Sequence, residues 1–284
     1  VSTKATALFL PCTLDGLSKH TGSRMIRCAW VAQNWEDAEV YNGTQRLIDY
    51  QLFVFQKAYL SRESVRLISQ LATLRDQGRE IKLAFDLCDP DFLDRHHRVR
   101  LLNVIQLFDF ATAPTAPLVE WLEQYLPAYL VPDGVELGAI KVYHGFVNNK
   151  PPKIVWMGYK GNSGVLAEIA VTMADLGVTG DVVSVESPMP FARFVRQMAE
   201  YDILLNPCSD KPPHSFKSDN KTLVAWAAGV AVARDGDELK KLLDPDYRRQ
   251  HVLDGRAYVE REGEGNILES VDSWIRVCIE EGLL

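Results

Sequence analysis

The chain has 284 residues, a formal net charge of -7 and a sequence pI near 5.4, with 47% hydrophobic and 24% charged residues. This composition excludes a disordered, fibrous or disulfide-built chain; no apolar run approaches the roughly 20 residues of a membrane-spanning helix, and the acidic balance gives no general attraction to nucleic acid. Five widely spaced cysteines (Cys12, Cys28, Cys88, Cys208 and Cys278) without a CxxC pair point to reduced thiols and a cytoplasmic setting, not to a disulfide or zinc framework.

The pattern alternates strand and helix from end to end. ALFLPC (7–12) is short and apolar, lacks the basic flank and cleavage pattern of a signal peptide, and reads as a first strand. RMIRCAWVAQNW (24–35) has helical spacing, and YQLFVFQKAY (50–59) is β-branched and aromatic, as a buried parallel strand should be. SRESVRLISQLATLRDQG (61–78) predicts an amphipathic helix with Ser61 as N-cap, Val65, Ile68 and Ala72 on one face, and Gly78 as its stop. Then follow a strand at 81–89, a helix near 92–107, a strand at 110–115, a helix at 116–126 and the segment AYLVPDG (128–134). Residues 136–152 break the rhythm with two asparagines and a Pro-Pro. The alternation restarts at KIVWMG (153–158), continues through strands at 181–187, 202–207 and 230–235 with helices between them, and closes with two helical stretches.

Repeated βα units imply parallel sheets with right-handed crossovers. The expected organisation is an α/β protein of two Rossmann-like domains: residues 1–138, a linker at 139–152, and residues 153–284. Ligands of such sheets bind beyond the carboxyl ends of the strands, which makes the cleft between the two domains the expected site.

HSFKSDNKTLVAWAAGVAVARDG (214–236) gathers Lys217, Ser218, Asn220 and Lys221 at the start of an apolar helix. Ser218 or Asp219 can cap that helix, and the remaining free N–H groups with the positive end of the helix dipole favour an anion. Lys217 and Lys221, four apart, would share a helical face and add charge-assisted bonds to a phosphate or diphosphate. A capped helix with two solvated lysines is the plain alternative.

The order strand, NP, loop, F-K-S-x-x-K-x-L-x-A-x-A-x-G-V and strand resembles the donor-binding segment of GT-B glycosyltransferases of the "group 1" type. DYQLFVFQKAY followed by IKLAFDLCDPD resembles their N-terminal-domain strands, DFATAPTAPLVEWLEQYLPAYLVPDGVEL their passage into the interdomain linker, and IVWMGYKGNSGVLAEI the first strand, loop and helix of their donor domain. The resemblance implies a GT-B fold, a nucleotide-diphosphate sugar such as a UDP-sugar as substrate, bound mainly by the second domain, and no required metal or other cofactor. Two positions depart from it. The glutamate that grips the donor ribose is replaced by Val224, and the proline of G-x-P-V by Ala231.

Other residues take their roles from position. Gly22, Ser23 and Arg24 follow the first strand, where small residues let backbone approach phosphate and Arg24 and Arg27 can grip it. His20 in the same loop can act as a base. Asp86 and Asp89, in DLCDPD, can deprotonate an acceptor hydroxyl, and with Asp91 they also resemble a metal-holding DxD; turn formation with acceptor-side lining is the preferred reading. Gly158, Lys160 and Asn162 can contact diphosphate, or simply form a tight turn. The basic run Arg95–Arg100 allows a nucleic-acid acceptor, such as DNA carrying a hydroxymethylated base, or is a solvated helix face. The expected function is transfer of a sugar from a nucleotide-diphosphate sugar to an acceptor hydroxyl on a small molecule, a glycan or DNA. The alternatives are a non-catalytic GT-B-like binding module or a nucleotide-sugar epimerase.

Overall fold

The structure, a computed structural model, describes residues 6–12, 22–141, 149–159, 166–185, 189–207, 211–261 and 265–284. In chain order they form β1 (Ala7–Leu10), α1 (Gly22–Arg24), a π turn (Met25–Ala29), α2 (Trp30–Asn34), β2 (Ala38–Val40), β3 (Leu52–Gln56), α3 (Arg62–Asp76), β4 (Lys82–Asp86), α4 (Arg95–Ile105), β5 (Phe110–Ala113), α5 (Ala116–Leu122) and β6 (Ala128–Leu130). The order continues with β7 (Ile154–Tyr159), α6 (Leu166–Asp175), β8 (Asp181–Val185), α7 (Phe191–Met198), β9 (Ile203–Leu205), α8 (Asn220–Ala227), β10 (Ala231–Ala233), α9 (Gly236–Leu242), α10 (Pro245–Glu260) and α11 (Ile267–Glu280). Two compact units result: residues 1–133 with 216–218 and 267–284, and residues 134–215 with 219–266.

The first unit holds a six-stranded, all-parallel sheet in the order β2-β1-β3-β4-β5-β6. Its central strands are apolar in unbroken runs because helices cover both faces: Leu8, Leu10, Phe53, Phe55, Leu83 and Phe85 belong to one buried cluster. Helix α3 shows how local chemistry sets an element's limits. Ser61 accepts a hydrogen bond from the Ser64 N–H at 3.3 Å, Ile68, Leu71 and Ala72 are buried, and Gly78 beyond the end takes φ +94°, which costs glycine little. Two details differ from the sequence expectation. Strand β2 is too short and too mixed to announce itself, and three helices, not two, follow β10.

Helix α11 belongs to the first unit, whereas a single linear boundary assigns everything after residue 153 to the second. Its Trp274 meets Phe9 edge-on at 5.4 Å, Ser270 Oγ donates to the Pro132 carbonyl at 2.7 Å, and Glu281 just beyond accepts from Tyr129 Oη at 2.6 Å and pairs with Lys82 at 3.1 Å.

The second unit has a four-stranded parallel sheet in the order β10-β9-β7-β8. Trp156, Ile154, Ile203 and Leu205 pack with Leu239, Leu242 and Val252 from the following helices. Among the described residues no helix is long and apolar enough to cross a membrane.

Candidate functional site

Both sheets reverse their strand order once. In the first unit β1 lies between β2 and β3; in the second β7 lies between β8 and β9. At such a reversal the connections leave in opposite directions and open a crevice at the carboxyl ends of the strands.

In the first unit this region is polar and largely buried. Gln56, which ends β3, donates from Nε2 to the Ser23 carbonyl at 3.0 Å and so fixes the helix start that carries Gly22, Ser23 and Arg24. Arg27 is only 3% exposed. Its guanidinium holds Asp86 through two nitrogens, meets Asp133 at 3.1 Å and donates to the Val131 carbonyl. Burial alone would lower the Arg27 pKa, but Asp86 and Asp133 outweigh it and keep the guanidinium charged. The phosphate contact expected of Arg27 is thus replaced by a structural one. Asp86 is 1% exposed and also accepts from Thr112 Oγ1 at 2.8 Å. The Asp86 carboxylate expected to face an acceptor is thus turned to Arg27 and Thr112 in the interior.

Asp89 stands differently, with its side chain 39% exposed. Lys57 Nζ lies 2.7 Å from Asp89 and 2.8 Å from Asp91, and Tyr59 Oη donates to Asp91. Lys57 has φ +47°, uncommon for a residue with a side chain and frequent at functional sites. Burial opposes its charge, yet the paired carboxylates of Asp89 and Asp91 more than compensate and raise its pKa. The positive charge between the two carboxylates of DPD therefore comes from a lysine. Among the described residues no group of three or more His, Cys, Asp or Glu side chains converges as metal ligands. Burial also pushes the thiols of Cys28 and Cys88 well up, so both remain protonated and are poor nucleophiles.

In the second unit the reversal brings together the end of β7, the end of β9 and the start of α8. A Cβ added at Gly158 would lie 2.8 Å from the Trp156 ring, so only glycine fits there without a shift. Lys221 Nζ sits 5.9 Å over the same ring, so Gly158 and Lys221 both border Trp156. Asn206, after β9, donates to Thr222 Oγ1 at 3.0 Å and to Asp219 at 3.4 Å. Asp219 also pairs with Arg234; burial raises its pKa while Thr222 and Arg234 oppose the shift.

The start of α8 departs from expectation in two ways. The helix begins at Asn220, so Lys217 precedes it and does not share a helical face with Lys221. Neither Ser218 nor Asp219 caps it through a side chain. Asp219 occupies the cap position with its carboxylate turned to Arg234 and Asn206, while Ser218, within the first unit, donates to Asp133. Val224, where the resemblance places a ribose-binding glutamate, is 1% exposed, and Ala231 is buried in β10. His20, Lys160 and Asn162 lie outside the described residues. The run Arg95–Arg100 opens α4 with Arg95, His96, Arg98 and Val99 exposed and Arg100 donating to the Leu60 carbonyl at 3.3 Å. Sequence reasoning missed Lys57, Asp133 and Arg234. Only the Gln-Lys that ends β3 carried any signal, as polar residues closing an apolar strand.

No protein-family model matches the sequence, and no curated protein is similar to it. Solved structures are similar in fold. The Anabaena protein HepE in complex with UDP-glucose superposes with a TM-score of 0.59 at 11% identity, over 97% of this chain and 99% of that one. The α,α-trehalose-phosphate synthase (UDP-forming) from Burkholderia vietnamiensis gives 0.52 at 10% identity, over 97% and 100%. TarM gives 0.55 at 7% identity, over 81% of this chain and 55% of that one. The fold is that of the GT-B glycosyltransferases, with two Rossmann-like domains.

Proposed function

We propose that this chain, built on the GT-B fold, transfers a sugar from a nucleotide-diphosphate sugar to an acceptor hydroxyl. The observation that carries the reading is the convergence of Gly158 and Lys221 on Trp156 at the strand-order reversal of the second unit, beside the amino end of α8. A close backbone approach, an ammonium group and the positive end of the α8 dipole suit a diphosphate, and they would stabilise the charge that develops as it leaves. HepE binds UDP-glucose, which makes UDP-glucose the first donor to test.

In this scheme Lys221, Asn220 and Gly158, with Lys160 and Asn162, hold the diphosphate, assisted by Lys217, Ser218, and Gly22, Ser23 and Arg24. The acceptor oxygen attacks the anomeric carbon, the bond from that carbon to the diphosphate oxygen breaks, and the hydroxyl proton passes to a carboxylate such as Asp89 or to His20. Independence from a metal cofactor belongs to the same proposal.

The test is thermal shift with UDP, GDP and UDP-glucose, followed by product analysis with a panel of hydroxyl acceptors. A stabilisation with one nucleotide, weakened about 10- to 100-fold in apparent affinity by Lys221→Ala, is expected from loss of one charge-assisted bond worth about 1.5–3 kcal/mol. No shift with any nucleotide, or a shift unchanged in Lys221→Ala, would overturn the donor site. The burial of Val224 and Asp86 favours one second reading, a GT-B-like module that binds nucleotide without transfer. It predicts the thermal shift with no glycosylated product. Alteration of the donor incubated alone would instead mark an epimerase.

A further inference from the structure

The second unit contains a cavity of about 290 Å³ on the surface between α8 and α10, at the opposite end of α8 from Asn220. Trp226 lies six residues along that helix, about 9 Å at 1.5 Å per residue. Helix α10 contributes Tyr247, Gln250, His251, Asp254 and Tyr258, spaced so that they share one face. Gly255 makes the floor possible: a Cβ there would come within 2.4 Å of the Trp226 ring.

The rings make a corner, not a slot. Trp226 meets Tyr258 at 5.8 Å and 71° and His251 at 6.0 Å and 63°. Trp226 Nε1 donates to His251 Nε2 at 3.3 Å, which makes that nitrogen an acceptor and turns Nδ1 towards Glu238 at 4.0 Å. On the rim, Gln250 donates to Asp254 at 2.8 Å, so an amide and a carboxylate stand side by side next to exposed tyrosines, Tyr247 being 43% exposed.

We infer that this cavity binds a pyranose ring of a carbohydrate, as a second site separate from the proposed donor site and independent of that reading. Sugar rings present apolar C–H faces to aromatic side chains and vicinal hydroxyls to paired amide and carboxylate groups, and both kinds of partner are here. The two nearest competitors fit less well. A nucleobase is held best between parallel faces, and these rings stand nearly perpendicular. An organic cation would share the indole with Arg234, whose guanidinium carbon already lies 5.8 Å over the Trp226 ring.

The experiment is saturation-transfer NMR on the full chain with maltotriose, cellotriose and chitotriose, with tetramethylammonium and AMP as competitors. Transfer to ring protons of at least one trisaccharide is expected, undiminished by UDP and weakened at least five-fold in Tyr247→Ala and in Asp254→Ala. Both residues are exposed, and both variants should keep the wild-type melting temperature. Absence of transfer with all three sugars, transfer unchanged in both variants, or displacement by tetramethylammonium or AMP would overturn the inference. Displacement by UDP would assign the sugar contact to the donor site and overturn it as well.

Discussion

Arg27 lies 59 residues from Asp86 and 106 from Asp133, yet all three are buried in one network with Thr112 and Ser218. Removing the cation leaves two carboxylates enclosed without a counter-charge, which is far costlier than the net worth of the network. Arg27→Met should therefore destabilise the first unit by about 3–5 kcal/mol in urea titration; a loss below about 1 kcal/mol would mean that water reaches the site. His251 allows a prediction in pH. Burial, opposed by Glu238 and Asp254 and aided by Arg234, holds its pKa below the ordinary 6.5. The unfolded chain then takes up the proton first as pH falls, so the contribution of His251 is complete above about pH 6.5 and declines as pH drops through that value. Melting temperatures between about pH 7.5 and pH 5.5 should fall less steeply in His251→Gln, which keeps an acceptor for Trp226; equal slopes would contradict the shift.

Helices α9 and α10 of the second unit each begin at an aspartate cap, Asp235 and Asp244. Asp244 accepts from the N–H groups of Asp246 and Tyr247 at 2.9 and 2.8 Å, and Pro245 fills the first helical position of α10, where its missing N–H costs nothing. Asp244→Ala should lower stability by about 1 kcal/mol, within a range of roughly 0.5–2, and should weaken the cavity that α10 lines. Hydrogen exchange at the first turn of α10 would measure it, and protection unchanged from wild type would count against the cap. Such elements are legible in sequence because their signals are short-range. Ser61 before an apolar periodicity and Gly78 after it mark α3 correctly, whereas Ser218 and Asp219 carry the same cap signal and are drawn to Asp133 and Arg234 instead.

At the scale of the whole molecule, residues 267–284 complete the unit begun by β1, although the whole of the second unit, 134–215 and 219–266, lies between them and β6 in the chain. Trp274 is 1% exposed and packs edge-on to Phe9. Trp274→Ala should cost about 3–5 kcal/mol, read as an earlier unfolding transition for the first unit in denaturant, with the nucleotide-induced thermal shift of the second unit retained. Loss of both together would show that the units do not unfold independently.

The alternation of strand and helix, the all-parallel sheets and the GT-B-like order of segments were determined by sequence alone. Each depends on hydrophobic period and on turn chemistry, which act over a few residues. The position of an apolar strand or an anion-favouring helix start is local in the same sense. Tertiary structure decided which charged groups are available to a ligand. Asp86 and Asp89 are three residues apart and alike on paper, but one faces Arg27 in the interior and the other reaches solvent beside Lys57. A partner 30 to 100 residues away leaves no trace in spacing. Burial and counter-charge are set only when distant strands align, and they divide carboxylates and lysines that hold the fold from those left to do chemistry.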